Sequence, residues 1–462
     1  MARNVIKKLR EFPAVEELLQ HRQLRSGVEA IPRPLAVQIV REVVARHKEM
    51  LRRKSETVSL SRMRQEIMTA LTTARRVGTC RVINATGIIV HTNLGRAPLS
   101  EAFFESVREV LSGYGNIEFD LNRGTRGGRG AACERYLSLL AGTESAAIVN
   151  NCAAALLLIL NSLANRKQVI VSRGELVQIG GGFRIPDILR KSGARLHEVG
   201  TTNITTIADY EDVVDEKTGL ILKVHQSNFV QAGFTGKVSV KELVKLGAGY
   251  DLTVVNDLGS GVFVNTGKII GYSEPTVQQS VRDGADLTCF SGDKMLGGVQ
   301  AGLIVGRASL IKKIKRNPLF RTVRVDKVVL ALMEKLLTSY LNGTWQTEIK
   351  LWALLSLPES ELYRRGRRLL KQLGHPAGLS VEATRGFVGG GALPESGIAS
   401  VGLVFGPPHR ATSLMRRFRM MNPPVIGRID DDCFILDLRA VAEDQLLLLK
   451  DSVAEAIGPQ KK

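Results

Sequence analysis

Phe290-Ser291-Gly292-Asp293-Lys294-Met295-Leu296-Gly297-Gly298 carries an apolar strand into a single lysine and a glycine turn. Upstream, a second strand-like run over 252–256 ends at Asp257 and enters Leu258-Gly259-Ser260-Gly261. Outward from these two, short β-branched runs recur at 146–149, 168–171, 219–224, 287–290 and 302–305, separated by stretches of helical spacing. Strands that are apolar at nearly every position belong to a sheet covered on both faces, and helical connections make such a sheet mostly parallel. Pyridoxal phosphate (PLP) chemistry asks a protein for a lysine that forms a Schiff base and an aspartate that pairs with the pyridinium nitrogen. Lys294 and Asp257 are the candidates for those two parts.

The bulk composition bounds the rest. With 462 residues, 44% of them hydrophobic and 24% charged, the chain has the make-up of a soluble globular protein with room for two or three domains. The start, MARNVIKKLREF, lacks an apolar core and a cleavage site, so no secretory signal is read. The longest apolar run, 153–160, is too short to span a bilayer and reads as a buried helix. A cytoplasmic location is the expectation. Five cysteines (Cys80, Cys133, Cys152, Cys289, Cys433) are scattered without a CxxC pair. That argues against a disulfide framework or a zinc site and for buried reduced thiols.

Charge is the outlier. Sixty-four Lys and Arg against 45 Asp and Glu give +19, which suits a polyanionic partner such as nucleic acid; a solvated basic surface is the plain alternative. Residues 1–72 read as a helical, basic domain. Val40, Val43, Val44, Met50 and Leu51 fall near helical spacing, with Arg41, Arg46, Lys48, Arg52, Arg53 and Lys54 interleaved. Such a module can offer a basic face to a phosphate backbone, or serve equally well as a packing arm. Residues 73–332 form the expected catalytic domain. A helix over 327–341 leads into a smaller C-terminal α+β domain, 333–462, which closes with a strand at 433–438 and a final helix.

A PLP enzyme of the aminotransferase-like type needs its parts in a fixed order, and this α/β chain supplies them. Asn150-Asn151-Cys152-Ala153 follows a strand and opens an apolar helix, whose first N–H groups can hold a phosphate. Ser291 lies where a hydroxyl can reach the same phosphate. After the strand ending at Val224, His225 can stack on the cofactor ring and Asn228 can bond its hydroxyl. Each piece alone is weak, since a strand-end Asp is often only a helix cap. The ordered set is far more specific.

Longer stretches carry a resemblance. They are Ile83 to Ala97 (INATGIIVHTNLGRA), Gly113 to Leu121 (GYGNIEFDL), Val171 to Leu176, Gly182 to Asp187, Glu198 to Asn203, Asp257 to Gly261, Phe290 to Gly298, Asn317 to Lys327 and Pro423 to Arg428. In these the chain resembles the bacterial selenocysteine synthases, the L-seryl-tRNA(Sec) selenium transferases, across roughly residues 80–440. The N-terminal module resembles that family's tRNA-binding domain. The resemblance implies PLP fold type I and conversion of L-seryl-tRNA(Sec) to L-selenocysteinyl-tRNA(Sec) with selenophosphate. The route it implies is elimination of the serine hydroxyl to an aminoacrylyl-tRNA, followed by addition of selenium.

Residue by residue, the resemblance assigns Lys294 as Schiff-base lysine and base, with Asp293 assisting proton transfer. It places selenophosphate on Arg96, Arg321 and Arg324, where arginine forks suit a tetrahedral oxyanion. The last two stand at i, i+3 and share a face if their segment is helical. Arg123, Arg126 and Arg129 lie in a glycine-rich basic loop of a kind that meets phosphates or RNA and is as often merely solvated, and His91 reads as a satisfied buried imidazole. A homodecamer, built as a ring of dimers with active sites at subunit interfaces, is also implied. Four positions depart from the family pattern: Cys152 for Asn, Gln178 for Glu, Ile204 for Arg and Val299 for Pro. Cys152 still has a backbone N–H to donate. The competing readings are a PLP lyase acting on a small amino acid or amino sugar, and an RNA-binding protein on a dead PLP fold. The basic N-terminal module argues against the first, and intact Lys294, Asp257 and Asn228 argue against the second.

Overall fold

The chain divides into two compact units, Met1–Val82 and Ile83–Lys462. The computed structural model describes residues 5–54, 57–389 and 392–458. In the first unit α1 (Arg33–Lys54) packs on α2 (Leu60–Val77), with two shorter helices, Val15–Gln20 and Arg25–Glu29, completing the layer. Val40, Val43, Val44 and His47 follow the i, i+3, i+4, i+7 stripe of a helix with one buried face. Their apolar members share a core with Met63, Ile67 and Leu71 of α2. Further along the stripe drifts outward: Leu51 is partly buried and Met50 exposed. The Ser59 hydroxyl caps α2 by accepting the Arg62 N–H, and the helix stops only at Gly78. The helical unit therefore runs past residue 72, because α2 continues to Val77 and the compact unit to Val82.

In the second unit, α3 (Glu101–Ser112) and α4 (Ala131–Ala141) precede β1 (Ser145–Val149) and α5 (Cys152–Ala164). The sheet continues with β2 (Gln168–Ser172), β3 (Arg195–Val199), β4 (Thr218–Val224), β5 (Thr253–Gly259), β6 (Leu287–Ser291) and β7 (Gly302–Gly306). Helix α6 spans Lys327–Leu341, as its sequence spacing suggests. The strand order is β3-β2-β4-β5-β6-β7-β1. The first five run parallel, and β7 is antiparallel to both its neighbours. On one face α5 buries Ala155, Leu156, Ile159 and Leu160 against Leu220, Cys289 and Ile304. On the other, α3, α4 and α6 bury Phe103, Leu137, Leu330 and Met333 against Ile148, Leu303 and Val305. Each such large apolar side chain contributes about 1.5–3 kcal/mol when fully buried.

Strand β3 is not among the runs the sequence singles out. Arg195, His197 and Glu198 break its apolar pattern because it is an edge strand, where charge guards against unwanted pairing.

A second sheet of five strands has the order Arg428–Asp430, β10 (Cys433–Asp437), β9 (Ala392–Phe405), β8 (Leu379–Gly389), Ile88–Val90. Helices α7 (Glu359–Gln372) and α8 (Leu446–Ile457) back it, around a separate core of Leu362, Phe405, Phe434, Leu436 and Leu449. A boundary between 332 and 333 would cut α6, whose Leu330 and Met333 point into one core. The change of core comes later, between Leu355 and Leu362. Ile83 and Ala85 also belong to the small lobe, and Ile88–Val90 pairs in parallel with β8. Among the described residues no helix is long and apolar enough to cross a membrane.

Candidate active site

Strands β4, β5 and β6 lie side by side, and the segments at their C-terminal ends converge on a cavity of about 350 Å³. Ligands of open α/β sheets bind at this edge because helix N-termini and loops, not packed side chains, face it. Arg96, Asn151, Cys152, Ala153, His225, Asn228, Asp257, Ser291 and Lys294 all line the cavity. Thr92, Ser227, Gly259 and Gln300, which the sequence reading did not single out, line it too.

At the turn from β1 into α5, the Asn151 side chain accepts the Ala154 N–H at 2.8 Å. That cap leaves the N–H groups of Cys152 and Ala153 at the cavity wall with no intrahelical acceptor. Gly302, the first residue of β7, packs against this turn. A Cβ there would overlap the Asn151 carbonyl and lie 2.9 Å from Cys152 N. The requirement was readable in principle, since a glycine opening an apolar strand signals close backbone approach.

Asp257 is buried on β5, in register with Cys289 of β6, and Cys152 Sγ donates to its Oδ1 at 3.7 Å. Burial pushes the Asp257 carboxyl above its ordinary range, opposed by the Lys294 ammonium. The Cys289 thiol is pushed well up by its hydrogen bond with Cys152 first and by burial next. All five cysteines are free, but only Cys133 and Cys289 are fully buried; Cys80 is exposed, so the expectation of five buried thiols does not hold.

Lys294 is buried in a turn fixed by three backbone bonds: Met295 N–H to Ser260, Gly297 N–H to Lys294 and Gly298 N–H to Gly292. Opposite it, Gly259 has φ +64, and a Cβ built there would lie 3.8 Å from Lys294 Nζ. His225 donates its backbone N–H to Asp257 O at 2.9 Å, and its Nε2 lies 3.2 Å from Glu274 Oε1. Asn228 donates Nδ2–H to the Gln178 carbonyl at 2.7 Å, a contact indifferent to which side chain stands at 178. Its Oδ1 is buried without a partner.

These features fit PLP. A buried carboxylate suits a pyridinium N–H, a lysine lies nearby, a helix start presents two N–H groups, and an orphaned amide oxygen sits on the wall.

Of the other candidates, Arg96 lines this cavity and the rest fall elsewhere. Arg96 donates Nη1–H to both oxygens of Asp293, at 3.0 and 2.8 Å. Asp293 lines not this cavity but a neighbouring one of about 440 Å³, which shares Thr92, Arg96 and Gln300 with the first. Arg96 itself holds φ +64, a left-handed backbone that costs a non-glycine residue about 1–3 kcal/mol and concentrates at functional sites. His91 is half-buried, accepts the Asn93 N–H on Nδ1, and has its imidazole pushed toward the neutral form by burial. The helix Pro318–Thr322 ends before Arg324, so Arg321 and Arg324 do not share a helix face. Neither lines the cavity. Arg321 is exposed, and Arg324 lies 3.6 Å from Glu118. Glu118 also binds Arg126 and Arg129, both at 2.8 Å, and the Arg129 guanidinium leads in holding its carboxyl below the usual range. Arg126 and Arg129 are thus paired rather than merely solvated. The segment still reaches the site through its backbone, because Val323 O accepts the Asn150 N–H at 2.8 Å.

The fold is that of the PLP-dependent enzymes of fold type I. It is similar to the solved structure of D-glucosaminate-6-phosphate ammonia-lyase, with a TM-score of 0.60 and 19% identity over 83% of this chain and 97% of that one. Sequence comparison is narrower. The profile of the L-seryl-tRNA selenium transferase family matches residues 82–442. The L-seryl-tRNA(Sec) selenium transferase of Geotalea uraniireducens is 43% identical over 447 residues, covering 95% of this chain and 97% of that protein. That of Aquifex aeolicus is 39% identical over 455 residues, covering 97% and 99%. The chain belongs to the L-seryl-tRNA selenium transferase family, and the match includes its N-terminal unit.

Proposed function

We propose that this protein converts L-seryl-tRNA(Sec) to L-selenocysteinyl-tRNA(Sec), with selenophosphate as selenium donor. The observation that carries the chemistry is the meeting of Lys294, Asp257, Asn228 and the start of α5 on one cavity, in a chain of this family. When bound, PLP supplies an electron sink for the carbanion formed at the substrate Cα. Asn151, Cys152, Ala153 and Ser291 hold the phosphate, and Asn228 orients the ring through its hydroxyl. His225, on the cavity wall, would lie against the ring face. Asp257 supplies the negative charge that keeps the ring nitrogen protonated. Lys294 Nζ removes the proton from Cα so that the β-hydroxyl can leave as water; selenium adds at Cβ as its bond to phosphorus breaks, and water takes up the phosphoryl group to give phosphate.

Arg96 binds the selenophosphate oxyanion from the cavity side, with Asp293 aiming its guanidinium. Arg321 and Arg324 complete that clamp from a neighbouring subunit of a homodecamer, since in one protomer they stand off the cavity. The N-terminal unit binds the tRNA. Its α1–α2 groove carries Arg46, Arg62, Gln65 and Thr69, donors suited to a phosphodiester backbone, with Glu66 beside them 3.6 Å from Arg62. The reaction takes place in the cytoplasm.

Incubation of the protein with PLP, seryl-tRNA(Sec) and labelled selenophosphate tests this reading. Label is expected on the aminoacyl ester of that tRNA, and none with seryl-tRNA(Ser) or with Lys294→Ala, which also loses the visible cofactor band. A protein that carries PLP yet transfers no selenium would sink it.

A further inference from the structure

Glu274 is a carboxylate to which the proposed reaction gives no part. Its side chain is 2% exposed, and the hydrogen bond the structure gives that carboxylate runs to His225 Nε2 at 3.2 Å. Taking a carboxylate out of water is costly unless a partner compensates, so a carboxylate this buried calls for a polar partner. The segment that delivers it is anchored on both sides. Thr266, itself 1% exposed, accepts the Glu274 N–H on Oγ1 at 2.9 Å and donates its hydroxyl to Tyr272 O at 2.7 Å. Two residues on, Thr276 bridges Val262, and Val277 donates its N–H to Val262 O. Glu274 is therefore placed by the fold and is not a surface side chain that strayed inward.

Apart from its contact with Glu274, the bonds that fix His225 are made by its backbone. Its N–H goes to Asp257 O, its carbonyl accepts the Ser227 N–H, and both bonds are 2.9 Å long. The imidazole stands on the cavity wall, a quarter exposed, and Glu274 is the group that stops it turning about its side-chain torsions. A partner on one ring nitrogen sets both the tautomer and the plane of the other side, as carboxylates do for metal-bound and catalytic histidines.

We propose that Glu274 is a positioning residue for His225: it accepts the Nε2–H and holds the imidazole plane against the place where the cofactor ring lies. This rests on the reading that the cavity binds PLP. It adds that the ring-facing histidine works through a buried carboxylate 49 residues downstream, which takes no part in moving the substrate's proton.

The test uses the full-length protein stripped of PLP and retitrated, for wild type, Glu274→Leu, Glu274→Gln, His225→Phe and the double substitution His225→Phe/Glu274→Leu. Leucine fills the same space without an acceptor, so a merely space-filling role would leave its cofactor binding unmoved. Three quantities are read: PLP affinity from the visible band, visible circular dichroism per bound cofactor, and the unfolding temperature of the stripped protein. Glu274→Leu is expected to weaken PLP roughly tenfold, the scale of one lost hydrogen bond to a charged group, and to reduce the induced dichroism. Glu274→Gln, whose amide oxygen still accepts, should recover part of both. In the His225→Phe background the leucine change should add nothing, because the two residues act as one unit. Unchanged affinity and dichroism in Glu274→Leu, or effects that add in the double variant, would overturn the proposal. A wild-type protein showing no visible band would overturn the cavity reading itself and this proposal with it.

Discussion

Replacing Gly302 with alanine tests the phosphate-binding turn without touching any group that meets the cofactor. The new Cβ would overlap the Asn151 carbonyl and stand 2.9 Å from Cys152 N, against backbone on both sides. Strand β7 cannot retreat, because Gly302 is held in register between Ser291 of β6 and Val149 of β1. The turn must move instead, by about an ångström in an interior packed as densely as this. A shift of that size takes the N–H groups of Cys152 and Ala153 out of hydrogen-bonding range of a phosphate held by the rest of the site. Two hydrogen bonds to a charged group are worth about 3–6 kcal/mol together, so PLP affinity should fall roughly 10²- to 10⁴-fold. Overpacking should also cost the stripped protein about 1–3 kcal/mol of stability. Titration of the visible cofactor band and denaturant unfolding of the stripped protein measure the two effects separately. Cofactor affinity within threefold of wild type, at unchanged stability, would refute the close approach on which the reasoning stands.

Asp257→Asn should separate folding from binding. Burial raises the Asp257 carboxyl's folded pKa above its unfolded value, so its ionised form costs stability above the folded pKa, and that cost vanishes as pH falls below the unfolded one. At neutral pH the stripped Asn variant should therefore unfold no earlier than wild type, and its advantage should shrink on acidification, while PLP binds roughly tenfold or more weakly; an Asn variant less stable when stripped would contradict this. Asp437→Ala should cost about 3–5 kcal/mol in chemical denaturation, because Asp437 is fully buried and accepts from Thr384, Ser400, Arg428 and the Arg439 N–H. A loss under about 1 kcal/mol would show that water or another group replaces it. Removing residues 1–82 as a unit should leave PLP bound and weaken tRNA binding in a filter assay. Undiminished tRNA affinity would mean the basic charge of that unit serves something else.

Much of the architecture was legible because its signals are local. Runs such as 219–224 and 287–290 are apolar throughout, which requires cover on both sheet faces, and the 327–341 spacing is that of a helix with one buried stripe. Strand β3 was missed because an edge strand is half wet and reads as polar. The helical domain was ended too early, at 72, because helix ends are set by caps, here Gly78, and not by where a charged stretch thins out.

At the site, the ordered appearance of Asn151, His225, Asn228, Asp257 and Lys294 on the chain was enough to name the cavity's main walls. Chemistry at strand ends is encoded by residue type and order, and a parallel sheet brings successive strand ends to one edge. Pairing across long separations was not encoded in that way. The Arg96–Asp293 ion pair joins residues 197 apart, and Arg324 proved to stand with Glu118, not on the cavity. Glu274 carries no sequence mark that separates it from a surface glutamate. Its burial exists only because the loop closed by Thr266 folds it under His225. The sequence alone determined the class of sheet, the lysine and the aspartate, since each is a local pattern with its own physical cause. Which arginine meets which carboxylate, which glycine must stay bare and which glutamate goes inside were decided by the tertiary structure, because those are properties of distance and solvent exclusion.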